Sequence, residues 1–149
     1  MVYLRIYASI PFCFGGIMSF NYSFSAVRGV QAEREYYIAM VPLGLLSKLF
    51  AKEEDCLLPD YRAQRSINEA RIPEIRDYIL NNRGNYVFSA LSASIDGHFE
   101  FNESSMDKNI GQLCVDMNAV LLINDGQHRK AAIEAALQEY PSLSNETIA

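Results

Sequence analysis

Tryptophan is absent from the 149-residue sequence, and cysteine occurs three times, at Cys13, Cys56 and Cys114. An odd number of widely spaced cysteines builds neither a disulfide framework nor a CxxC redox or metal pair, so they read as free thiols of a reducing, cytoplasmic compartment. Positive charge is also scarce, with 13 Lys and Arg against 18 Asp and Glu and a net charge of −5. That balance excludes a surface that holds nucleic acid through bulk positive charge, but not a local basic patch. No apolar run reaches the roughly 20 residues that span a bilayer. The first twenty residues come closest, yet Pro11, Gly15 and Gly16 interrupt them and no small-residue cleavage site follows. Residues 1–17 therefore read as an apolar extension ahead of a start at Met18, and no membrane partner is expected. Walker A, HExxH, GxSxG and zinc patterns are missing too, so no nucleophile–base pair can be nominated.

What is present is the composition of an ordinary globular domain: 50% hydrophobic and 21% charged residues. Such a chain is the right length for one domain with a proper core, built here from aliphatic side chains, Tyr and Phe. Residues 25–30 lead into a strand at 35–41, and a short apolar helix follows at 43–50. The acidic stretch 51–59 reads as a loop. Residues 60–82 have helical spacing, with Ile67, Ala70, Ile75, Tyr78 and Ile79 as the inward stripe. Pro73 predicts two helices meeting near Ile72 rather than one rod. Residues 86–95 and 98–102 flank Asp96-Gly97 and predict a hairpin. Two short strands at 112–116 and 120–123 precede a helix at 127–139, and the last residues, NETIA, begin a further strand. The order predicts an α+β fold, a small mixed sheet with helices packed on it. That last strand, left unpaired, suggests a chain that is the front part of something longer.

The informative element is LLINDGQHRKAAIEAAL, from Leu121 to Leu137. A β-run empties into Asp125-Gly126 and at once into a helix, so Gly126 permits a tight turn and the amides of Gln127, His128 and Arg129 point out of a helix N-terminus. Unpaired amides and the positive end of the helix dipole favour a phosphate, with Arg129, His128 and Lys130 as the side chains that clamp it. Asp125 has two readings, a Mg²⁺ ligand shared with the phosphates or a helix N-cap. His128 likewise is either a phosphate donor or a hydrogen-bonded structural histidine. Gln127 has no acid–base capacity, so its one catalytic role would be to orient a water.

Asp125-Gly126-Gln127-His128-Arg129, together with residues 26–43, 62–79 and 86–97, resembles the DndB family of DGQHR-domain proteins, regulators of DNA phosphorothioation. The resemblance runs over residues 18–149 and implies a missing C-terminal portion. It also implies a ParB/sulfiredoxin-like fold, in which a strand–glycine–helix turn sits against nucleotide phosphates. Gln127 stands where sulfiredoxins carry their reactive cysteine, so sulfinic-acid reduction is excluded. The function so implied is a DNA-binding transcriptional repressor of its operon with a nucleotide site for ATP or CTP and Mg²⁺. Its implied partners are promoter or modified DNA, the phosphorothioation proteins, and a second copy of the chain in a homo-oligomer. Arg62 and Arg65 are the candidate DNA contacts, in a segment, 61–83, with five Arg against three acidic residues. The same mixture also suits a solvated helix face laced with ion pairs. Two rival functions are a Mg²⁺-dependent nucleoside triphosphatase and a non-catalytic module in which the motif only starts a helix.

Overall fold

The computed structural model describes residues 4–6, 20–50 and 67–149. Among the described residues, nine strands run in the order β1 (Leu4–Ile6), β2 (Asn21–Gln31), β3 (Arg34–Ala39), β4 (Val41–Pro42), β5 (Ser92–Asp96), β6 (Phe99–Glu103), β7 (Ile110–Asp116), β8 (Val120–Asp125) and β9 (Thr147–Ile148). Accompanying them among the described residues are α1 (Leu46–Leu49), entered through a 3₁₀ turn at Leu43–Leu45, α2 (Arg71–Asn81) and α3 (Gln127–Glu139). The mixed α+β class follows the sequence pattern. Among the described residues no helix is long and apolar enough to cross a membrane.

The strands form a four-stranded antiparallel sheet, β3-β2-β7-β6, a three-stranded sheet, β1-β5-β8, and the small β4-β9 pair. Long β2 serves two partners, its first part facing β7 from Asn21↔Asp116 to Val27↔Ile110 and its last part facing β3 from Ala26↔Ala39 to Gln31↔Arg34. Alternation decides which face is buried. Phe24 and Ala26 of β2, Tyr37 and Ala39 of β3, and Leu113 and Val115 of β7 turn inward. The smaller sheet contributes Ala93, Ile95, Leu121 and Ile123, and the helices Leu46, Ile79, Ile133 and Ala136. Each such Leu or Ile contributes about 1.5–3 kcal/mol when fully buried. Small Ala132 and Ala136 are wholly buried and let α3 approach its neighbours closely.

Several expectations are corrected. β5 and β6 do not form the hairpin expected across Asp96-Gly97, because β5 pairs with β1 and β8 whereas β6 pairs with β7. The turn carries the chain from one sheet to the other, and 117–119 carries it back between β7 and β8. Gly97 has φ +137°, and a Cβ there would stand 2.8 Å from Ala119, so the two crossings pack against each other. Residues 86–91, expected as the first part of a strand, take no regular secondary structure.

Pro73 stands at a helix start rather than inside one rod, as expected: α2 begins at Arg71 after non-helical residues 67–70, and most of the helix expected before it lies outside the described residues. Pro73 falls in the first turn, where a backbone N–H has no helical acceptor anyway. Ile79 is buried as expected, whereas Ile67, ahead of the helix, and Tyr78 are exposed. The final strand is not unpaired: β9 pairs with β4, and the Leu91 amide donates to the Ala149 carbonyl at 2.8 Å. β1, within the stretch read as an extension, pairs in parallel with β5, from Leu4↔Ala93 to Ile6↔Ile95. The loop reading for 51–59 falls outside the described residues, as do Cys13 and Cys56. Cys114 is a half-buried free thiol.

Candidate functional site

β8 delivers the chain to Asp125, and Gly126, at φ 102° and ψ 17°, turns it into α3. Only glycine fits this turn comfortably, because its φ is left-handed. An added Cβ would also overlap Leu91 Cδ2 and stand 2.9 Å from Arg129 Nη2. No side chain caps the helix. The Asp125 carboxylate thus does not make the N-cap bond that was one of its two readings. The first helical hydrogen bond runs from the Lys130 amide to the Gly126 carbonyl at 2.9 Å. The amides of Gln127, His128 and Arg129 precede it and, with the positive end of the dipole, suit an anion.

The side chains are arranged in more than one direction. Arg129 Nη1 donates to Ser89 Oγ, and Nη2 donates to the Ala90 carbonyl at 3.0 Å and to Asp125 Oδ2 at 2.9 Å. Arg129 Nε is buried with no hydrogen-bond partner. Lys130 pairs with Glu134 at 3.2 Å, one turn farther along α3 and away from its N-terminus. The Gln127 side-chain amide donates to the Ile123 carbonyl at 3.2 Å, which leaves its Oε1 for any water. His128 Nε2 accepts the Asn68 backbone N–H at 3.0 Å. That bond fixes Nε2 as an acceptor, so the proton of the neutral ring sits on Nδ1.

The site therefore gathers Asp125, Gly126, His128 and Arg129 with three groups that the sequence reading did not nominate, Ser89, the Ala90 carbonyl and the Asn68 amide. Arg62 and Arg65 lie outside the described residues. In residues 67–83, the part of the basic segment that is described, Arg76 pairs with Asp77 at 2.7 Å and with Glu139 at 3.3 Å and Arg83 lies over the Tyr140 ring, which fits the solvated, paired face.

A family model described as DndB, DNA-sulfur modification-associated, matches residues 24–149, a span that holds most of β2, all of β3 to β9 and the whole Asp125–Arg129 turn. The chain belongs to the DndB family. Membership associates it with DNA sulfur modification and agrees with the resemblance read from the motif. No curated protein and no solved structure matches this DndB-family chain. Its site thus rests on its own geometry, a left-handed glycine between a strand and an uncapped helix with a guanidinium at its flank.

Proposed function

We propose that the chain regulates DNA sulfur modification as a DNA-binding transcriptional repressor whose Asp125–Arg129 turn takes the phosphates of a nucleoside triphosphate. The observation that carries this reading is the left-handed Gly126 opening α3 with no side-chain cap beside Arg129, whose guanidinium retains a buried unpaired N–H. In this reading the α3 amides, His128 and Arg129 contact the phosphates, as in the ParB/sulfiredoxin-like turn that this one resembles. Asp125 shares a Mg²⁺ with them. The donor set fits a shared ion rather than a protein cage: among the described residues no three His, Cys, Asp or Glu side chains cluster. Mg²⁺ is commonly held by one or two carboxylates plus substrate phosphates. Gln127 is the residue that would orient a water if the nucleotide is hydrolysed, and Arg62 and Arg65 are the candidates for DNA contact.

The test is equilibrium binding of labelled ATP, CTP and GTP with Mg²⁺ to the wild type and to Arg129→Lys, each confirmed as folded by circular dichroism. Lysine keeps the charge but loses the two-pronged donor geometry. Saturable wild-type binding that weakens by about tenfold or more in the variant is expected, on the scale of a lost charge-assisted hydrogen bond. A folded wild type that binds none of the three removes the nucleotide site. Operon promoter DNA titrated with and without the preferred nucleotide should show sequence-selective, salt-dependent affinity that the nucleotide changes. Equal affinity for unrelated DNA removes the repressor role.

A further inference from the structure

Arg129 offers five N–H donors, and their use is uneven. Nη1 goes to Ser89 Oγ, Nη2 to the Ala90 carbonyl and to Asp125 Oδ2, and Nε is buried without an acceptor. Nε and Nη2 share one edge of the guanidinium, the edge whose two hydrogens match two oxygens of a carboxylate or a phosphate. Asp125 touches Nη2 through Oδ2 alone and leaves Nε without an acceptor. Nε is enclosed, since a Cβ on Gly126 would stand 3.2 Å from it and 2.4 Å from Leu91 Cδ2, so an anion that replaces Asp125 meets Arg129 through Nη2.

The two partners also differ in freedom. The Asp125 side chain is 76% exposed, whereas that of Arg129 is 21% exposed. Exposed ion pairs contribute little, so the carboxylate can leave cheaply. Ser89 and Ala90 hold the arginine through other bonds and keep it in place when Asp125 departs. A carboxylate remaining beside a phosphate would repel it.

We propose that Asp125 is a built-in competitor for the anion: in the ligand-free protein its carboxylate occupies an Arg129 donor that a phosphate oxygen takes on binding. The displaced carboxylate turns outward, to solvent or to a metal ion that arrives with the phosphates. This rests on the phosphate reading of the turn and adds to it a reason for the pairing of Asp with Arg at its two ends. It makes the metal and the anion arrive together, because a bare anion must displace a carboxylate that then has no cation.

The full chain is titrated calorimetrically with inorganic phosphate and with ATP in the presence of EDTA, as wild type, Asp125→Asn and Glu139→Gln. Glu139, at the far end of α3, controls for the loss of one negative charge. Asp125→Asn is expected to bind both ligands about three- to fivefold tighter than the wild type, the scale of one partly exposed charge pair. Glu139→Gln should bind them unchanged. With Mg²⁺ the advantage of Asp125→Asn for ATP should vanish or reverse. Arg129 Nε–H, followed by ¹⁵N-edited NMR, should shift on addition of phosphate. A wild type that binds while a folded Asp125→Asn binds no tighter, or gains no more than Glu139→Gln, overturns the competitor and leaves the phosphate site standing. Failure of every folded protein to bind phosphate or ATP overturns both.

Discussion

Gly126 carries two burdens at once, a left-handed backbone and the close approach of Leu91 and Arg129. Alanine there should lower stability by about 2–4 kcal/mol, combining the left-handed penalty with overpacking. Urea unfolding measures it, and a loss below 0.5 kcal/mol would mean that the turn relaxes freely. The residue scale also shows what the sequence exposes and what it hides. Asp125, Gly126 and Arg129 are legible because they are consecutive or one helical turn apart, so local geometry alone brings them together. Ser89 and the Ala90 carbonyl meet Arg129 across 40 and 39 positions, and the Asn68 amide meets His128 across 60. No periodicity encodes such partners, since only the packing of α3 against the 86–91 segment and the start of α2 brings them within reach.

At the scale of elements, periodicity located α3 to the residue and β7 and β8 to within two, because burial pattern and helix start are local properties. Partner choice is not local. Asp-Gly between two β-runs has the chemistry of a hairpin turn, yet here it delivers the strands to different sheets, with Gly97 packed against Ala119 of the other crossing. The β2–β3 hairpin turns through Ala32 and Glu33 at φ 50° and 62°, with neither glycine nor asparagine. Left-handed backbone costs an ordinary residue about 1–2 kcal/mol. Ala32→Asn with Glu33→Gly restores the favoured chemistry of such a two-residue turn. The pair is expected to stabilise the protein by about 1 kcal/mol after the added flexibility of glycine is subtracted. Thermal unfolding tests this, and an unchanged or lower midpoint would contradict it.

For the whole molecule, two tyrosines link stability to alkaline pH. Burial first, and then a hydrogen bond to Glu35 at 2.7 Å, raise Tyr37 above its ordinary 10.0. Burial and the bond to Glu146 raise Tyr86 in the same way. The folded state therefore keeps protons that the unfolded chain releases near pH 10. Their stabilisation is complete below that pH and declines as pH rises past it. Urea midpoints measured at about pH 9 and about pH 11 should fall, and Tyr37→Phe with Tyr86→Phe should flatten the fall if these rings are its source. The order of strands has a wider consequence. β1, β5 and β8 build one sheet while β2, β3, β6 and β7 build the other, so the chain passes between them four times. Neither sheet is a contiguous stretch of chain. A break placed anywhere between β3 and β7 would divide the strands of both sheets between two fragments. Each layer must wait for chain made after the other has begun, which sets a late, concerted closure of the core during synthesis and favours slow folding.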